Sequence, residues 1–275
     1  MHCTYKLLPK PLFDTQLASS ILGMDDQISY AELVFQELSI TLPKSQSRTN
    51  WSKRPLTDAQ IDYALDDVRY LGSLYLQLHK KLKDKERIHW LEEECTHLLN
   101  IDHYSVDPVH AWKQVKGVGR LDSPSLFIVQ QLAHWREHTA QINNLPRKWI
   151  LSDQATVNLS VMKPVNSYSV KQVLLEQSPK SVKHLDKIVE ILQQASSSRL
   201  DNIETMVDRR LTRPQQALVK DMMKMIRRHA EEIGTSSTLL ANRKSLVNLV
   251  LGLHSKVNEG WRQKEIGQRL QEMMY

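Results

Sequence analysis

The sequence predicts a mainly α-helical protein, and three observations lead there. Apolar residues recur at steps of three and four from Asp58 onward, the periodicity of helices with one buried face. Glycine and proline are sparse, 8 and 10 in 275 residues, so long helical stretches are rarely interrupted. The breaks that do occur gather in two places. Residues 100–123 contain Asp107-Pro108 and Gly117-Val118-Gly119, and residues 195–201 are a polar run of weak helix formers. Read as linkers, these divide the chain into residues 1–100, 118–198 and 203–275.

In the first region, Thr57 followed by Gln60 is a capping box, so a helix should start at Asp58. Ile61, Leu65, Val68, Gly72, Tyr75, Leu78 and Leu82 continue it as an apolar stripe for the core. Tyr63 and Asp67 lie one turn apart on a neighbouring face. A phenol and a carboxylate converging there suit metal binding beside a positioned water, although the same spacing occurs on many exposed helices without function. In the second region, Ser123-Pro124 supplies a serine N-cap and a proline at the first helical position. Leu126, Val129, Leu132, Ala133, Trp135-Arg136 and Ala140 follow, and Asn143-Asn144-Leu145-Pro146 ends the helix. Trp149-Ile150 and Asp153 open the next one, and Lys163-Pro164 and Ser178-Pro179 mark further turns. In the third region, Leu218, Met222 and Met225 share one helix face, and Lys220, Lys224, Arg227 and Arg228 share another.

The net charge of +6 and pI of about 9.2 favour an acidic partner such as nucleic acid. The basic run from Arg209, Arg210 and Arg213 to Arg228, with Asp221 as its one acid between Lys220 and Arg228, is the best candidate contact. The competing reading is an ordinary solvated helix face. Lys113, Lys116 and Arg120 flank Gly117-Val118-Gly119, whose amides suit a phosphate; an interdomain turn explains the same residues. The tryptophans are available to stack on bases, although Trp135 and Trp261 suit packing better. Cys3 and Cys95 give neither a disulfide framework nor zinc spacing, and the 11 histidines show no ligand spacing. No apolar run approaches the roughly 18 residues of a membrane span. No signal peptide is expected after Met1, which suggests a reducing, bacterial-type cytosol.

The string from Ser47 through Trp51-Ser52-Lys53-Arg54-Pro55-Leu56 into Tyr63-x-x-x-Asp67 resembles the third exonuclease motif of the ribonuclease D family. These are DEDDy-type 3′-5′ exonucleases, in which a Trp-x-x-Arg-Pro-Leu loop precedes a Tyr-x-x-x-Asp helix. Pro11-Leu12-Phe13-Asp14-Thr15-Gln16-Leu17-Ala18 is similar to the strand-to-helix segment before that motif. The resemblance implies an α/β catalytic domain of the ribonuclease H type, to which residues 1–100 contribute a last strand and several helices. It also implies that Asp67 is a metal ligand and that Tyr63 positions the attacking water, with Mg²⁺ or Mn²⁺ as cofactor. The family's other ligands, an Asp-x-Glu pair on an early strand and a further Asp, have no match here, so the chain reads as N-terminally truncated. A two-metal site needs ions about 3.5–4 Å apart, which Asp67 alone cannot hold. The uncovered sheet edge should leave the N-terminal third less stable than the rest and open to association. Asp14 reads as a structural or capping carboxylate rather than a replacement ligand.

Trp135, Arg136, Asn144, Pro146, Ile150 and Asp153 fit, in order, the HRDC domain shared by RecQ-type helicases and ribonuclease D, over residues 121–194. Leu239-Leu240-Ala241-x-Arg243 and Gly260-Trp261-Arg262-x-x-x-Ile266-Gly267 resemble, more loosely, a second HRDC copy in residues 203–275. The expected architecture is therefore a remnant of a ribonuclease H-like α/β exonuclease domain followed by two all-α HRDC-type bundles. The implied function is metal-dependent 3′-5′ trimming of transfer RNA precursors in the cytoplasm, impaired by the missing motifs. The alternative is a catalytically inactive RNA-binding module.

Overall fold

Many of the helices begin where a side chain takes one of the first unpaired amides. The computed structural model describes residues 8–43, 46, 49–100, 104, 106–162, 166–197 and 211–275. Cys3, Lys163, Pro164, Arg209 and Arg210 lie outside them. Asp14 accepts from the Gln16 and Leu17 amides at 2.8 and 3.0 Å and opens α1 (Thr15–Ile21), the capping role expected of it. Ser29 opens α2 (Tyr30–Leu38). The Thr57–Gln60 capping box forms, and α3 is Asp58–Arg69. The apolar stripe does not run on as one helix: Tyr70 breaks it before α4 (Leu71–Asp84). α5 (Ile88–Leu98) follows.

The central region holds α6 (Ser123–Ile142), α7 (Arg147–Ile150), α8 (Asp153–Val161), α9 (Ser167–Gln177) and α10 (Leu185–Ser197). The cap of α6 is Asp122, whose carboxylate accepts from the Ser125 amide at 3.0 Å, one residue earlier than the expected Ser123. Asp and Ser cap equally well, and the N-terminal proline fits either register. The last region holds α11 (Arg213–Ile233), α12 (Ser237–Leu240) and α13 (Arg243–Val250). A final helical run joins α14 (Gly260–Arg262) through a π turn to α15 (Gln268–Glu272). α11 starts with a second capping box, Thr212 with Gln215, and ends at Gly234, whose φ of 61° suits glycine.

The chain folds as two compact units, one made of Met1–Ile101 with Arg209–Tyr275 and the other of Asp102–Asp208. In the first unit, Ile21, Leu33, Leu74, Leu78, Leu82, Trp90 and Leu91 share one core with Val219, Met222, Ile226, Leu240, Leu246, Trp261 and Leu270. The C-terminal helices, expected as a separate bundle, thus bury the apolar faces of the N-terminal ones. Two polar clamps lie inside this junction. The Arg87 guanidinium donates to the carbonyls of Ile21, Gly234 and Ile233 and lies over the Trp90 ring at 4.8 Å. Those carbonyls include the unpaired ones at the end of α11. Trp90 stacks on Trp261 at 4.2 Å, and Glu94 accepts from Trp261 Nε1 at 3.0 Å and from Arg262 Nη1.

Two expectations are corrected in this unit. No strand forms among the described residues, so neither the last strand around Phe13 nor an open sheet edge is present. A strand needs neighbours for its amides and carbonyls. Here Leu12 and Phe13 instead lean on the helical core, with Phe13 edge-on to Tyr75 at 4.8 Å. The stripe is also buried only at its far end: Leu78 and Leu82 are fully enclosed, whereas Ile61, Leu65 and Val68 are 44%, 48% and 58% exposed. Leu65→Ser should therefore change stability by less than about 0.5 kcal/mol. Leu78→Ala should cost about 2–5 kcal/mol. Urea unfolding midpoints of the two variants check this.

In the second unit, Ile128, Leu132, Leu151, Ala155, Leu159, Val170, Leu174, Ile188 and Leu192 form one core. A smaller core corrects the linker reading of residues 100–123. Ala111, Trp112, Val115 and Val118 pack under Leu126, Val129 and Ala133, with Trp112 only 1% exposed. Gly117, at φ +96°, turns the chain so that Val118 points inward.

Candidate active site and nucleic-acid interface

The loop before α3 is stapled at both ends. Arg54 Nη1 donates to the carbonyls of Trp51 and Lys53, each at 2.9 Å. Gln60 Nε2 reaches back to Thr49 Oγ1 at 3.1 Å, joining the loop to the helix start. This sets the Trp51 ring against the Tyr63 ring, centroids 5.9 Å apart. Tyr63, half-buried, and Asp67, exposed, both line a cleft of about 320 Å³ together with Tyr30, Leu42, Pro43 and Asp66. The helical spacing of the predicted pair thus brings both side chains to one place.

Tyr30 also lines this cleft, and no local sequence signal marks it. Its hydroxyl donates to the Asp66 carbonyl at 2.9 Å and accepts from the Tyr70 amide at 3.3 Å. It therefore holds the C-terminal turn of α3, which carries Asp67, to α2. Burial pushes the Tyr30 hydroxyl above its ordinary value, and the nearby Asp67 charge adds to this against the Tyr70 hydrogen bond. The phenol stays protonated and able to donate across the neutral range.

The carboxylates do not by themselves fit a pair of divalent ions. Asp66 is ion-paired with Arg69 at 2.7 Å, and among the described residues no three His, Cys, Asp or Glu side chains converge. Asp67 can offer one oxygen-donor position of the several that Mg²⁺ prefers.

On α11, Lys220, Lys224, Arg227 and Arg228 are all exposed, whereas Met222 is buried and Leu218 and Met225 are half-buried. The expected separation of charge from core holds. Lys224 is paired with Asp221 at 2.8 Å, and Arg228 lies 3.7 Å from Glu232. Lys220 and Arg227 have no ion-pair partner among the described residues, so their charges are the less neutralised on this face. The turn at Gly117 serves the small core of the second unit, as Val118 shows. Trp261 is a core residue, and Trp135 is partly buried against the larger core, as the packing reading has it.

The HRDC-like residues meet in space. Arg136, with no exposed surface, donates from Nη1 to Asp153 Oδ1 at 2.8 Å and to the Leu151 carbonyl at 3.2 Å. Ile150 is buried beside them, and Asn144 adopts a φ of 50° at the turn.

A 3′-5′ exonuclease family model matches residues 1–83, and an HRDC domain model matches residues 125–192. The chain is 36% identical over 269 residues to ribonuclease D of Jannaschia sp. (strain CCS1), covering 95% of this chain and 68% of that protein. It is 31% identical over 274 residues to ribonuclease D of Bartonella henselae, covering 98% and 67% respectively. The crystal structure of Escherichia coli RNase D, an exoribonuclease involved in structured RNA processing, matches 99% of this chain and 75% of that one. Its TM-score is 0.88 at 23% sequence identity, a likeness of fold. The identity to curated ribonuclease D proteins along nearly the whole chain, together with the two family models, shows that this chain belongs to the ribonuclease D family of 3′-5′ exoribonucleases.

Proposed function

We propose that this protein removes nucleotides from the 3′ ends of transfer RNA precursors in the cytoplasm. The observation that carries this is the cleft in which Tyr63 and Asp67 meet beside Trp51. Tyr63 is the water-positioning residue and Asp67 the metal-binding carboxylate, for Mg²⁺ or Mn²⁺. When bound, the metal would supply charge stabilisation at the scissile phosphate. The chain's own residues orient the water and the terminal nucleotide. Trp51, 37% exposed next to Tyr63, offers a face for that nucleotide's base.

We further propose that these residues form only part of a full site, which lowers the activity of this chain relative to its relatives. The absence of a third His, Cys, Asp or Glu beside Asp66 and Asp67 among the described residues, and the exposed apolar face of Ile61, Leu65 and Val68, support this. Residues 118–198 act as the HRDC domain and 203–275 as a divergent HRDC-like copy, with Lys220, Lys224, Arg227 and Arg228 as RNA contacts. Among the described residues, no helix is long and apolar enough to cross a membrane.

The test is release of mononucleotides from a 3′-extended transfer RNA precursor with Mg²⁺, Mn²⁺ or a chelator. Slow, metal-dependent release is expected, with Asp67→Asn reducing it by roughly 10²–10³-fold. Tyr63→Phe should reduce it by about 10²-fold. Release that is equally fast in Asp67→Asn would remove the assignment. Salt-sensitive RNA binding with no turnover at all would favour the binding-module reading.

Replacing Lys220 and Arg227 by alanine should weaken RNA binding and flatten its dependence on log salt by about 1.4, from two phosphate contacts at about 0.7 each. Lys224→Ala should change the slope less, because Asp221 already neutralises that ammonium. Anisotropy titrations at several salt concentrations, with chelator present, measure both.

A further inference from the structure

We propose that the groove between α6 and α10 is a nucleobase-binding subsite for single-stranded RNA, distinct from the Tyr63–Asp67 cleft and from the basic face of α11. It rests on the reading that RNA is the substrate.

Two helix faces make the groove. Gln131, His134, Trp135 and His138 line up on α6, one to two turns apart, and Lys187 and Ile191 face them from α10. The cavity is about 340 Å³. That is near the lower end of small-ligand sites, which suits one nucleotide and is too small for a helix or a strand pair. Its floor is apolar, with Ile191 buried and Trp135 half-buried and held edge-on to His184 at 5.5 Å. Its rim is polar and flat.

The two rim imidazoles point to a planar ligand. His134 and His138 are exposed, their ring planes are parallel to within 7°, and their centroids are 6.5 Å apart. Two parallel imidazole faces on one helix give a flat heterocycle a surface to stack against. Gln131 offers an amide donor and acceptor for a base edge. Stacking on planar side chains with amide hydrogen bonding is how unpaired bases are held.

The charge pattern selects the base over the phosphate. Lys187, the cation lining the groove, pairs with Glu190 at 2.8 Å, and that carboxylate also accepts from Gln194 at 3.2 Å. A phosphate there would meet a neutralised lysine and a nearby carboxylate. A metal is disfavoured too, because among the described residues no third His, Cys, Asp or Glu joins the two imidazoles.

This predicts an unusual signature: loss of affinity without loss of salt dependence. Full-length His134→Ala/His138→Ala should bind a labelled 12-nucleotide single-stranded RNA about tenfold more weakly, with the slope against log salt unchanged. His134→Phe/His138→Phe, which keeps two flat rings, should restore most of the affinity. Chelator in the buffer keeps the Tyr63–Asp67 site out of the measurement, and an unchanged circular dichroism spectrum excludes misfolding. Unaltered affinity in the alanine variant overturns the proposal. So does a slope that falls with the affinity, or a phenylalanine pair that fails to rescue. If the wild-type chain binds no RNA, the exoribonuclease reading fails instead. The groove is then judged by titrating AMP while following the imidazole resonances: shifts at His134 and His138 retain it, and no shifts remove it. Shifts with Zn²⁺ but not AMP would reassign it as a metal site.

Discussion

Glu94→Ala is expected to destabilise the first unit by about 3–5 kcal/mol, because it leaves the Arg262 guanidinium buried without its counter-charge. Both side chains are nearly enclosed, 7% and 8% exposed. Glu94 also accepts from Trp261 Nε1, and Arg262 Nε donates to the Leu239 carbonyl at 2.9 Å, so the pair ties α5 to two C-terminal elements at once. The comparison that isolates the mechanism is the double variant Glu94→Leu/Arg262→Met. Removing both charges should recover much of the loss, since the attraction of a buried pair is largely offset by the cost of dehydrating it. If the double variant is as unstable as the sum of the single ones, the destabilisation comes from lost packing rather than stranded charge.

The same carboxylate makes the unit acid-sensitive. Burial alone raises the pKa of Glu94, but the Arg262 hydrogen bond and charge and the Trp261 N–H outweigh it, holding the group below its ordinary value of 4.5. A depressed folded-state value means that the stabilisation is present in full above about pH 4.5 and is lost as pH falls through the lowered value. Glu94→Gln should therefore be less stable at neutral pH and should flatten the acid limb of stability against pH. Denaturant melts between pH 3 and 7, on the order of one per half unit, would show it.

Asp153→Ala should have a comparable effect, about 3–5 kcal/mol, in the second unit. Arg136 has no exposed surface, and its Nε and Nη2 find no hydrogen-bond partner among the described residues. The ion pair at 2.8 Å and the Leu151 carbonyl are thus its compensation. Asp153 also sits in the first turn of α8, where a negative charge is favourable. Hydrogen exchange should rise in α6 and α8, while the amides of α5 and α11 keep their protection. Arg136→Met in the Asp153→Ala background should regain stability. Further loss would mean that the guanidinium contributes chiefly by filling space.

Short-range features were legible from residues alone. The capping box at Thr57 acts within three positions, so the sequence contains both of its halves. Tyr63 and Asp67 reach one cleft because helical geometry puts positions four apart on one side. The Trp51-to-Leu56 loop is recognisable because its staple, Arg54 to Trp51, is also local. The misreadings came where a partner lies far along the chain. Periodicity marked Ile61, Leu65 and Val68 as apolar, but burial depends on what covers a face, and nothing covers theirs among the described residues. Tyr30 acts on residues 36 and 40 positions away, and no pattern around Ser29 announces that.

Sequence by itself determined that the protein is helical, that helices start near Asp58 and Ser123, which family's motifs it carries and which two residues face the same cleft. These follow from local dihedral preferences, short-range capping and a fixed helical period. Tertiary structure alone decided that residues 211–275 complete the core of the N-terminal helices and that residues 106–120 fold over Trp112 and Val118. It also decided that Glu94 meets Arg262 across 168 positions and that α6 and α10 frame a groove. The reason is physical: an amphipathic face states that it will be buried wherever a partner allows, but the identity of the partner is a property of the whole chain's packing.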